Sequence, residues 1–139
     1  MNAPQTLDQV QEQLTNGTIT CEALVQDYLK RIEDKRHLNA FLETFDDSAL
    51  EKAKQVDANI KDNKQGKLAG LVIGIKDNIA YKGHSVSASS KILEGFESLY
   101  HATAVDRLLE EDAIIIGRLN CDEFAMGSSN EHSAFGKVL

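Results

Sequence analysis

Leu71-Val72-Ile73-Gly74-Ile75 is a short, almost wholly apolar run, and Lys76-Asp77-Asn78 follows it without a break. An uninterrupted apolar stretch of this length fits a strand covered on both faces better than one with a wet side. A second such run, Ala113-Ile114-Ile115-Ile116-Gly117, lies downstream. Between them Thr103-Ala104-Val105-Asp106 has the form of a capping box, which opens a helix that buries Val105, Leu108 and Leu109. Strand, helix, strand predicts a parallel pair joined by a right-handed crossover, the start of an α/β sheet. A pair that is apolar on both faces needs further strands and helices around it.

Upstream of this unit the pattern is helical. Leu7, Val10 and Leu14 recur at helical spacing, with Thr6 as N-cap and Gly17 as stop. A second helix starts after Thr20 and presents Leu24, Tyr28 and Ile32, widened by Val25 and Leu29. A third, after Asp46 or Asp47, sets Ala49, Ala53, Val56 and Ile60 on one side and ends in the polar run Lys61–Gly66. The reading therefore divides the chain into a helical region over 1–66 and the start of an α/β core over 67–139. The single proline, Pro4, falls in the amino-terminal tail.

The chain has 139 residues, 42% hydrophobic and 27% charged, which suits one modest folded domain and neither a disordered nor a fibrous chain. Its net charge of −7 argues against gripping a nucleic-acid backbone directly. No stretch approaches the roughly 20 apolar residues of a membrane helix, and Met1–Gln5 lacks the basic and apolar parts of a signal peptide, so a cytoplasmic protein is expected. Cys21 and Cys121 form no CxxC and are expected to be buried, unbridged thiols.

Several familiar motifs fail. Gly66-Lys67 precedes Leu68 and Gly136-Lys137 precedes Val138, so neither offers the Ser or Thr that a phosphate loop places on its metal. No GxGxxG follows either strand, and His37, His84, His101 and His132 show no paired ligand spacing, so no metal or nucleotide site is expected. Glu131-His132 beside Ser133 has no spacing that would bring it together as an acid–base group.

What remains is a lysine handed from a buried strand to polar turn residues. Lysine is almost never buried unpaired, so Lys76 either meets solvent or sits in a polar site, and sites in open α/β sheets gather at the carboxyl ends of strands. The segment Asn120–Glu131 after the second strand is polar, then small and glycine-containing, which lets a ligand approach the backbone. The plainer reading of that segment is a turn in which Phe124 and Met126 fill the core.

Taken with Ser89-Ser90-Lys91-Ile92-Leu93-Glu94-Gly95-Phe96, these two segments closely resemble the amidase-signature family. The run Asp122–Ser129, followed by Glu131 and Ser133-Ala134-Phe135-Gly136, is most similar to the glutamine-hydrolysing subunit of tRNA-dependent amidotransferases. The resemblance implies the amino-terminal part of an amidase-signature fold: helices, then the first strands of a mixed, mainly parallel sheet. It further implies a Ser-Ser-Lys triad with Lys76 as its lysine, and Met126, Gly127 and Ser128 as substrate-binding residues. Both triad serines belong to a later Gly/Ser-rich segment, so the chain reads as an amino-terminal fragment, inactive alone. Implied partners are the other members of a heterotrimer, which use ATP and carry the aminoacyl-tRNA; this chain itself binds no cofactor or metal, and its substrate is glutamine.

The implied chemistry makes a demand on Lys76. A serine nucleophile needs a base, and a lysine serves only when neutral, which near pH 7 costs roughly 4 kcal/mol against the ammonium form. Burial behind Ile73 and Ile75 is expected to supply part of this, and Asp77 is expected to turn away, since a facing carboxylate would oppose it. A stand-alone amidase and a non-enzymatic interaction module are the alternatives.

Overall fold

The computed structural model describes residues 6–139; the tail holding Pro4 lies outside the described residues. Helix α1 (Leu7–Thr15) is capped by Thr6, whose hydroxyl accepts from the Gln9 N–H at 3.3 Å, and Gly17 ends it at φ 74°. Helix α2 (Cys21–Asp34) is capped by Thr20 in the same way, through the Ala23 N–H at 3.1 Å. A 3-10 turn over Arg36–Leu38 then leads into a short strand, β1 (Phe41–Thr44).

Helix α3 (Asp46–Lys61) begins one residue earlier than its acidic start suggests. Phe45 takes the cap position without a side-chain bond, and Asp46 and Asp47 sit in the first turn, where the helix dipole favours them. Strand β2 (Val72–Lys76), helix α4 (Thr103–Glu110) and strand β3 (Ile114–Leu119) complete the regular elements. The capping box at Thr103 does not form. Ala102 is the cap residue, its own N–H held by the Ala80 carbonyl at 2.8 Å, so a tertiary bond sets where α4 starts.

The three strands form one mixed sheet in the order β1-β3-β2, with β2 parallel and β1 antiparallel to β3. The parallel pair is the one expected from strand, helix, strand. Strand β1 is an addition, and it means that the first 66 residues are not all helix. Its close approach explains Gly117, because a Cβ there would run into the Glu43 carbonyl oxygen.

Core residues lie on both faces of the sheet. On one, Ile114 and Ile116 pack with Val10, Leu14, Cys21, Val25, Ala49, Ala53 and Val56 from α1, α2 and α3. On the other, Ile75 and Ile115 pack with Phe45 and Val105. The alternation of side chains along β3 thus feeds both layers, as a doubly covered strand must.

The core differs from expectation beyond β3. Phe124 and Met126 do not fill it, being 45% and 85% exposed, because the chain stays buried only as far as Asp122 and turns to the surface from Glu123. Both cysteines are buried and unbridged, as their spacing predicts. Burial first, and then the neighbouring Asp57 carboxylate, pushes the Cys21 thiol up to about 12.

Candidate active site

Lys76 is the last residue of β2 and pairs with Leu119 of β3. Strand alternation turns its side chain away from Ile75 and Asp77, and its burial behind Ile73 and Ile75 is not found: Lys76 is exposed. Ile73 and Ile75 belong to the layer against Val105, on the opposite face. Among the described residues no side chain forms an ion pair or hydrogen bond with the Lys76 ammonium.

Asp77 does turn away, as expected. It is 1% exposed, and its carboxylate accepts from four donors: the Ser87 N–H at 3.1 Å, the Ser87 hydroxyl at 2.6 Å, the Ser89 N–H at 2.7 Å and Arg118 Nη1 at 2.8 Å. Arg118 also reaches back across the sheet, its Nε donating to Glu43 Oε2 at 2.8 Å. Burial works against the guanidinium's charge, but the bonds to Asp77 and Glu43 outweigh it and hold Arg118 more firmly protonated than usual. A row of alternating charge therefore runs from β1 through β3 to the end of β2.

The Ser87–Ser90 segment passes the arrangement on. Ala88 and Ser89 both take left-handed backbone angles, φ 48° and 51°, a conformation costly for side-chain-bearing residues and held here by surrounding bonds. The Ala88 carbonyl accepts from the Phe124 N–H at 2.8 Å, and the Ser89 carbonyl accepts from the Ala134 N–H at 3.0 Å. The Ser90 hydroxyl donates to Glu123 Oε1 at 2.6 Å, and the Ser89 hydroxyl accepts from the Cys121 N–H at 3.0 Å.

The segment bearing Met126, Gly127 and Ser128 is anchored from below by Asp122. Its carboxylate accepts from the His132 N–H at 2.8 Å and the Asn130 N–H at 2.9 Å, bonds that hold its carboxyl below the usual carboxylate range. Gly127 lies so close to this carboxylate that a Cβ would collide with it. Met126, Gly127 and Ser128 are all exposed, and none bonds to Lys76 directly. Lys76 and the three are joined instead through Asp77 and the Ser87–Ser90 segment. His132 enters this network through its backbone N–H, with a smaller pull of its ring charge on the Asp122 carboxyl, and its ring makes no hydrogen bond to Glu131 or Ser133. Among the described residues no cluster of three or more His, Cys, Asp or Glu could hold a metal ion.

Reading the residues alone misses Arg118, although an arginine in an apolar strand demands a partner as strongly as Lys76 does. The apolar run ends at Gly117, whereas β3 continues to Leu119 and carries Arg118 into the sheet.

The family described as Amidase matches residues 23–139. The chain is 48% identical over 130 residues to the A subunit of glutamyl-tRNA(Gln) amidotransferase from Chlorobium phaeobacteroides (strain BS1), covering 93% of this chain and 27% of that protein. It is 50% identical over 131 residues to the corresponding protein of Chlorobium chlorochromatii (strain CaD3), covering 94% and 28%. Among solved structures, native peptide amidase from Stenotrophomonas maltophilia superposes with a TM-score of 0.86 at 32% identity, covering 98% of this chain and 29% of that one. The chain thus spans about a quarter of the length of the curated relatives it matches. The mixed α/β architecture is that of this solved peptide amidase, and the chain belongs to the amidase-signature family.

Proposed function

We propose that Lys76 is the base of a Ser-Ser-Lys amide-hydrolysing site whose serines lie outside these 139 residues. One serine attacks the amide carbon of glutamine, its proton passes through the bridging serine to neutral Lys76 and on to the departing nitrogen, ammonia leaves as the acyl-enzyme forms, and water then releases glutamate. The ammonia amidates Glu-tRNA(Gln) or Asp-tRNA(Asn) on partner subunits that use ATP, in the cytoplasm. Met126, Gly127 and Ser128 contact the substrate. The carrying observation is the position of Lys76 at the carboxyl end of a parallel strand, with the adjacent carboxylate bonded elsewhere. The similarity to amidotransferase subunits supports glutamine as substrate; the likeness to peptide amidase supports a stand-alone amidase as the second reading.

The serines of the 87–90 segment are otherwise engaged: Ser87 with Asp77, Ser89 with Asn120 and Cys121, and Ser90 with Glu123. This chain alone is expected to release no ammonia from glutamine above a Lys76→Ala control. Joined to the remainder of the Chlorobium phaeobacteroides protein, it is expected to do so. There Lys76→Arg, which keeps a charge that cannot be shed near pH 7, and Lys76→Met, which keeps only the stem, should both lose orders of magnitude in turnover with glutamine binding less affected. Near-normal turnover of the arginine variant would refute the role of base. Activity on simple amides without partner subunits, and none with glutamine, would favour the stand-alone reading.

A further inference from the structure

Asp77 presents a puzzle for any lysine that must shed its proton, because it places a carboxylate one residue away along the chain. A nearby anion stabilises the ammonium form. The structure answers this with geometry. Asp77 and Lys76 leave the strand end on opposite faces, and the Asp77 carboxylate is saturated by the Ser87 N–H and hydroxyl, the Ser89 N–H and Arg118. The charged groups that meet Asp77 are Arg118 of β3 and, behind it, Glu43 of β1; the 87–89 segment brings only hydroxyl and N–H donors. Lys76 pairs with none of them.

We infer that Asp77 and Arg118 are positioning residues for Lys76, the arginine fixing and neutralising a carboxylate that would otherwise hold the lysine protonated. Arg118 is suited to this by its register. It pairs with Ile75, so it lies on the Asp77 face of the sheet, one position behind the lysine, and its planar fork can hold Glu43 and Asp77 together. The inference rests on the reading of Lys76 as a base. A direct measurement on the lysine nevertheless separates the two: labelling reports its proton affinity, whereas ammonia release by the joined protein reports the reading.

The test is competitive acetylation of the 139-residue chain at pH 8, with Lys76 labelling quantified by mass spectrometry against Lys30, an exposed lysine of α2. Only the neutral amine reacts. Asp77→Asn is expected to raise relative labelling of Lys76 about threefold and Arg118→Gln to lower it about threefold. Opposite signs are the signature of an electrostatic role, since a purely structural role would move both variants the same way through loosening. Amide spectra establish that each variant is folded. Should either variant fail to fold, Glu43→Gln at the exposed rim keeps the question open to decision, because removing that charge is expected to raise labelling by a smaller factor. Unchanged labelling in the folded variants, or change in the same direction for Asp77→Asn and Arg118→Gln, would overturn the inference.

Discussion

Asp112 shows how a single side chain ties distant parts of this chain together. It is buried at the turn between α4 and β3, and its carboxylate accepts from Lys52 Nζ at 3.0 Å, Asn59 Nδ2 at 3.1 Å and the Gly66 N–H at 2.9 Å. Burial alone would push its carboxyl up; the Gly66 N–H, Lys52 and Asn59 together outweigh burial and hold it below its ordinary value. The unfolded chain therefore binds the proton more readily than the folded one. The stability that Asp112 contributes is whole above its unfolded value near 4 and is lost as the pH falls through the lower folded value. Asp112→Asn is expected to lower stability at pH 7 and to flatten its decline below about pH 4. Urea midpoints between neutral and acid pH check this, and an equally steep acid decline in both proteins would contradict it.

Helix α2 is held at its start by more than its own cap. Besides Thr20, the Asp57 carboxylate of α3 accepts from the Cys21 N–H at 2.7 Å and the Glu22 N–H at 3.1 Å, taking two donors that the helix cannot satisfy itself. An anion there also meets the positive end of the helix dipole. Asp57→Ala is expected to cost about 1–2 kcal/mol, a loss measurable as a drop in the urea midpoint at constant slope. No change would mean that water replaces the carboxylate without loss. The three long helices were legible in the sequence because their apolar spacing and caps are local signals. Strand β1 was not, because Phe41–Thr44 offers only four residues of pattern and is defined by pairing with residues far along the chain, Phe41 opposite Leu119. The start of α4 was displaced for a related reason: Ala80 reaches it from outside the local sequence.

Most of the large exposed apolar residues among those described fall in two stretches of the chain, 92–100 and 124–126. Ile92, Leu99 and Met126 are 80%, 79% and 85% exposed, with Tyr100 and Phe96 beside them in the chain. Surfaces of this kind bind apolar probes and other chains. The chain is expected to enhance the fluorescence of a hydrophobic dye while still folded, and Ile92→Ser, Leu99→Ser and Met126→Ser together should reduce that signal with less than about 0.5 kcal/mol lost per site. Dye fluorescence read beside the urea midpoint checks it, and a signal unchanged by the three substitutions would place the dye elsewhere. The candidate site was legible in part on the same scale. Lys76 stands out at a strand end, where position alone marks it. Arg118, Asp77 and the serines of the 87–90 segment become a unit only when β2, β3 and two loops converge, and no spacing in the sequence announces that convergence.

The order of the strands sets a timetable for the chain's synthesis. β3 occupies the middle of the sheet and is the last of the three to be made, so β1 and β2 emerge with no partner to bond. Until Ile114–Leu119 leaves the ribosome, both earlier strands must wait with their backbone groups solvated or sheltered by helices, at a synthesis rate of roughly 5–20 residues per second. The arrival of one six-residue segment then closes two ladders, joins both core layers and seats Arg118 between Glu43 and Asp77. These three strands and their charged row come together in a single event, which makes the stretch just before β3 the one where a translational pause would leave β1 and β2 waiting longest for it.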